Sequence, residues 1–134
     1  MRRLSAIVVI FSTILITSCG PGEPTRYPLQ GKIIYDGQAI PFGDVVLTPD
    51  GAKGNSGPQG FANIRDGFYD TAADGGKGFA GGPTVIHVTG FTAQGGKLIV
   101  ETDVHVDLPR DGGSHDINIP KKDAQPEKKK GSDI

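Results

Sequence analysis

The chain has no tryptophan, one cysteine (Cys19), one methionine (Met1) and only three tyrosines. A single thiol excludes an intramolecular disulfide and a cysteine-rich zinc site. Without Trp, a flat aromatic platform for stacking on sugar rings would have to come from Tyr27, Tyr35 and Tyr69. Tyr35 and the phenylalanines are expected in the core, which leaves too few rings for that task. Charge of one sign is missing too. Lys and Arg number 14 against 15 Asp and Glu, a net charge of −1, so no broad basic face of the kind that binds nucleic acid is present. Helical periodicity is also lacking along the chain. What it has in abundance is glycine, 21 residues, and proline, 10 residues. Such frequent punctuation suits short strands and turns within a single domain.

The one long apolar run lies at the start. Arg2 and Arg3 precede residues 4–16, "LSAIVVIFSTILI". As a helix that run would span roughly 20 Å, short of the ~30 Å hydrocarbon core of a bilayer. It therefore reads as a signal peptide, residues 1–18, and not as a stable membrane span. The sequence that follows, Ile16-Thr17-Ser18-Cys19, resembles a bacterial lipobox: aliphatic, small, small, cysteine. The resemblance implies that Cys19 receives a diacylglyceryl group on its thiol, is exposed as the new N-terminus by cleavage, and is acylated on its amine. Each buried methylene contributes about 0.8 kcal/mol, so two or more acyl chains hold a protein durably at membrane lipid. Gly20, not Asp, follows the cysteine; in a diderm host this favours the outer membrane.

Residues 19–28 form the lipidated Gly/Pro-rich tether, whose "GPGEPTRYP" reaches only about 30 Å as polyproline II. Residues 29–120 hold the domain. Strands are predicted over 29–36 (LQGKIIYD), 43–49 (GDVVLTP), 61–65, 68–71, 84–91 (TVIHVTGF), 97–108 and 117–119. Asp66-Gly67 between two β-prone runs predicts a hairpin with a type I′ turn, and Asp36-Gly37 marks another turn. Residues 97–108 alternate most regularly, with Leu98, Val100, Thr102, Val104, Val106 and Leu108 on one face. Two glycine-rich stretches, 50–60 and 74–83, read as flexible surface loops. Residues 121–134 carry five Lys against three acids and no apolar pattern, and read as a disordered, solvated tail. Together these features predict an all-β fold, an antiparallel immunoglobulin-like or transthyretin-like sandwich of about seven strands.

"GKIIYDGQAIPFGDVVLTPD" (31–50), "DGFYDT" (66–71), "GPTVIHVTGF" (82–91) and "DLPRDGGSHDINIPKK" (107–122) resemble segments of the small lipoproteins of planctomycete-type bacteria. The likeness covers most of residues 29–122, with Ala39, Leu47 and Pro83-Thr84-Val85 departing from the usual pattern. It implies a carboxypeptidase regulatory-like, transthyretin-like sandwich in the cell envelope and no catalysis. Its motifs are fold motifs, not chemical ones.

Few residues form a chemical constellation. Ser114-His115-Asp116 spells a hydrolase triad, but adjacent strand residues point to opposite faces and cannot converge on one imidazole. Glu101, Asp103, His105 and Asp107 share one strand face at roughly 7 Å intervals, a set of oxygen ligands plus one imidazole that suits Ca²⁺, Mn²⁺ or loosely held Zn²⁺. The same alternation is what a half-exposed edge strand shows without any metal, and charge there deters aggregation. Asp66, Asp70 and Asp74 are a weaker set that crosses a hairpin. His87, with Val85 and Thr89 on its side of a strand, reads as a packed or edge residue. "GGKGFAGG" lacks the order of a phosphate-binding loop.

The sequence thus predicts a non-enzymatic, lipid-anchored envelope protein facing the periplasm or exterior. It would act as a structural or protein-interaction module, with no cofactor beyond the acyl groups. Its expected partners are membrane lipid through Cys19 and an envelope protein or cell-wall polymer, not nucleic acid. A glycan- or calcium-binding module is the alternative.

Overall fold

The computed structural model describes Gly20 and residues 22–121. The signal-peptide reading, Cys19 and residues 122–134 of the tail lie outside the described residues. Nine strands appear among them: β1 (Leu29–Tyr35), β2 (Gln38–Ala39), β3 (Phe42–Pro49), β4 (Gly60–Arg65), β5 (Phe68–Asp70), β6 (Gly82–Phe91), β7 (Leu98–Leu108), β8 (Gly113–Ser114) and β9 (Ile117–Ile119). A 3-10 turn spans Gly51–Lys53, and no helix among the described residues is long and apolar enough to cross a membrane.

Seven strands follow the path β2-β1-β5-β4-β3-β6-β7 in one curled sheet, every neighbour antiparallel. Two pairings depart from the antiparallel expectation: β8 and β9 run parallel to β1. β1 therefore serves two groups of strands. Its first half, Leu29 to Lys32, pairs β5 and β8; its second half, Ile33 to Tyr35, pairs β9 and β2. The curl wraps a core of Leu29, Ile33, Val45, Leu47, Ile64, Tyr69, Phe79, Ile86, Val88, Ile117 and Ile119, all buried. Period-2 alternation makes this possible: in β6, even positions are buried and odd positions half-buried throughout.

Both Asp-Gly turns take the primed geometry. Asp36 and Gly37 have φ of 50° and 76°, Asp66 and Gly67 have 51° and 75°, as a two-residue type I′ turn requires. Gly31 is needed for another reason. A Cβ there would run into the His115 carbonyl, so the last segment can lie against β1 only where β1 has no side chain.

The glycine-rich stretches are better tied down than their composition predicts. Asn55, buried between them, donates from Nδ2 to the carbonyls of Gly81 (2.9 Å) and Pro83 (2.6 Å). Its Oδ1 accepts from the Arg110 guanidinium (3.2 Å) and the Ser56 N–H (3.1 Å). Gly81 and Gly82 both have positive φ and lie so close to Arg110 that a Cβ on either would come within 2.8 Å of its side chain.

The segment just before β1 is tied down as well. Tyr27 exchanges two backbone hydrogen bonds with Phe79 (2.8 and 2.9 Å), and Arg26 Nη1 donates to the carbonyls of Gln59 and Gly78. Residues 26–28 thus belong to the body. The chain enters at the Leu29 end of β1 and leaves beside its other end, where the Asp36 N–H donates to the Ile119 carbonyl (3.0 Å). Seven strand residues separate the two poles by about 20 Å.

Candidate functional site

The densest group of titratable side chains lies on the outer face of β3, β6 and β7. Register builds it. His87 on β6 stands between Val46 on β3 and Asp103 on β7, while Thr89, two residues along, stands between Asp44 and Glu101. His87 Nδ1 is 2.6 Å from Asp103 Oδ1, and Nε2 is 3.5 Å from Glu101 Oε1. An imidazole facing a carboxylate at each nitrogen is best satisfied when both nitrogens carry protons. The hydrogen bond to Asp103 accordingly raises the His87 pKa; partial burial opposes this, and the charges of Asp103 and Glu101 add to it. Burial raises the Asp44 pKa, and the charge on His87 partly counters that rise.

A β-bulge sets this register. Phe91 opposes Leu98 and Gly90 opposes Val100, so Ile99 is an extra residue in β7. Counting straight from the hairpin closure would set Thr102 opposite His87 and turn Glu101 toward the core beside Val88. The extra residue restores the carboxylates to the wet face and leaves Val100 2% exposed. It also corrects the predicted face of Leu98, which is 52% exposed, while Ile99 packs against the core in its place. One slipped position reverses every side chain.

The four residues 101, 103, 105 and 107 do share the exposed face, yet they do not act together. Glu101 and Asp103 turn to His87, a partner from another strand. His105 Nδ1 instead approaches Asp50 Oδ2 at 3.6 Å. Asp107 lies opposite Pro83. Among the described residues no three His, Cys, Asp or Glu side chains gather as a metal site. Asp66, Asp70 and Asp74 do not gather either. Asp66 lies in its turn, and Asp70 Oδ1 accepts from the Ala72 N–H (2.8 Å).

Ser114-His115-Asp116 proves to be a staple. Ser114 pairs Gln30 in β8, and the His115 N–H donates to the Gln30 carbonyl (2.9 Å). The His115 carbonyl accepts from the buried Tyr69 hydroxyl (2.6 Å), and Asp116 Oδ1 accepts from the Lys32 N–H (2.8 Å). Burial, with the charge of Asp116 nearby, pushes the Tyr69 pKa well up, so the phenol stays a donor.

The His87 group can hold a proton and clasp β6 to β7. Both its nitrogens are committed, so neither is free to take a proton from a nucleophile. It lies on an open face. His87 itself lines none of three clefts of the body: one of about 290 Å³ lies between Tyr35, Ala39, Pro41 and Ile99, one of about 400 Å³ beside Arg65 and Phe68, and one of about 560 Å³ runs from Val46, the β3 neighbour of His87, to Gln59 and Lys77. No protein-family model, curated protein or solved structure matches this chain.

Proposed function

We propose that the chain is a lipid-anchored, non-enzymatic protein of the cell envelope. In this reading its curled sheet is a sandwich of the carboxypeptidase regulatory-like, transthyretin-like type, serving as a structural or interaction module. The observation that carries the reading is how the N-terminal segment meets the body. Arg26, Tyr27 and Phe79 fasten the chain at residue 26, so residues 20–25 alone would separate an acylated Cys19 from the domain. Even fully extended, six residues reach about 20 Å. A body held that close lies with its Leu29 pole toward the bilayer and its Ile119 pole facing away. The use of titratable groups agrees with a module that performs no chemistry: the His87, Tyr69 and Asp116 contacts all join strands. The three tyrosines also find structural uses, Tyr69 buried, Tyr27 edge-on to Phe79 and Tyr35 packed against the core.

Cys19→Ser tests the anchor. The parent should pellet with membranes and partition into detergent, and the intact mass of its mature form should carry acyl groups on residue 19. The variant should lose both properties. A Cys19→Ser chain that remains membrane-bound like the parent contradicts the proposal.

A further inference from the structure

β7 is the longest strand, 11 residues, and it ends the sheet: among the described residues only β6 pairs with it. The outward edge has a definite hydrogen-bonding phase. The Pro83 carbonyl accepts from Asp50 N–H (2.9 Å), on the β3 side, so Pro83 directs its backbone away from β7. Asp107, opposite Pro83, therefore directs its own N–H and C=O away from β6, and alternation gives the same to His105, Asp103 and Glu101. Among the described residues these four have no backbone partner on that side, and they stand in a row. Beneath them Val104 and Val106 are only half covered although they pack against the core.

We propose that this edge pairs with the β7 edge of a second copy of the chain, antiparallel and centred on Asp103. Odd positions carry the free backbone groups, so odd must meet odd, which puts even with even and joins the half-covered apolar residues of the two copies. Thr102 then meets Val104, and Val100 meets Val106. Charge selects among the possible centres. With the centre at Asp103, each Glu101 faces a His105 of the second copy, and the one meeting of like charges is Asp103 with Asp103, each held by its own His87 at 2.6 Å. Centring on Val104 sets Glu101 against Asp107 twice; centring on Thr102 sets Glu101 against Asp103 twice; centring on His105 sets Asp103 against Asp107 twice. Like charges directly opposed in a ladder are unfavourable. Centring on Val106 opposes no like charges but pairs only residues 104–108, against 98–108 for the centre at Asp103. Of the registers that overlap most of the strand, the acidic face that blunts indiscriminate edge pairing thus leaves one open. The pairing does not depend on the acyl anchor, so each can fail alone.

Disulfide trapping in the full chain reads the register. Glu101→Cys, Asp103→Cys and His105→Cys are expressed separately, oxidised in the preparation from cells, and the linked peptides identified by mass, with the parent as the background from Cys19. Directly opposed residues have Cα atoms about 5.5 Å apart, inside the range a disulfide spans, whereas 101–101 and 105–105 pairs would stand about 14 Å apart. The 103–103 link should therefore exceed the other two at least about tenfold. Because Asp103→Cys removes the partner of His87, Glu101→Cys and His105→Cys are also co-expressed, and the mixed 101–105 link should exceed both like pairs. Equal yields at all three positions, a dominant 101–101 or 105–105 link, or a 103–103 yield no higher than the parent background overturns the proposal.

Discussion

β1 and β7 are both regular, alternating strands, yet they occupy opposite situations. β1 has partners on both edges: β5 and β2 antiparallel, β8 and β9 parallel. Even its side-chain bonds serve the frame, with the Leu29 N–H donating to Thr71 Oγ1 (2.8 Å) and the Lys32 N–H to Asp116. Among the described residues β7 has one partner, an open backbone edge and a charged face. The difference separates two tasks. A strand filled on every side specifies the fold, while a strand filled on one side leaves hydrogen-bonding capacity for something outside it.

Removing side chains from each should expose that contrast. The largest loss is expected for Ile33→Ala, which empties a fully buried position on β1 and should cost about 3–4 kcal/mol in denaturant unfolding. Tyr69→Phe deletes the donor to the His115 carbonyl, leaving that half-buried acceptor unpaired, and should cost about 1–2 kcal/mol. Where β7 meets β6, His87→Gln removes the β6 partner of Asp103 and should cost less than about 1 kcal/mol, because the clasp is exposed to solvent. Its signature is in pH. The folded-state pKa of His87 is raised, so the parent's advantage over the variant should be complete below the ordinary imidazole value of 6.5 and fade as pH rises through the folded pKa. An advantage that grows with pH would reverse the assignment. A loss at His87 equal to that at Ile33 would mean that the clasp holding β7 is as deep a part of the frame as the filled β1.

The sequence made some of this legible and hid the rest for physical reasons. Alternation is local, so β3, β6 and β7 were readable within a residue or two, and Asp66-Gly67 announced its turn because two consecutive positive φ values need those residues. The parallel placement of β8 and β9 along β1 was not readable. It depends on Gly31 admitting the His115 carbonyl from 84 positions downstream, and nothing near Gly31 marks it. The candidate site was half visible. Glu101 and Asp103 stood out, but their partner is His87 and not His105, because one bulged residue, Ile99, resets the pairing of two strands. Asn55 and Arg110 give no pattern at all in sequence, and they tie together loops whose glycine content reads as flexible.

Amide hydrogen exchange on the purified full chain tests the contrast between the two strands most directly. In dilute solution the amides of Ile33 and its neighbours in β1 should exchange slowly. In β7, Thr102, Val104 and Val106 should be slow while Glu101, Asp103 and His105 are fast. Raising the protein concentration should slow those three and leave β1 unchanged. Uniform exchange along β7, or β1 amides exchanging as fast as the outward-facing ones, would contradict the account.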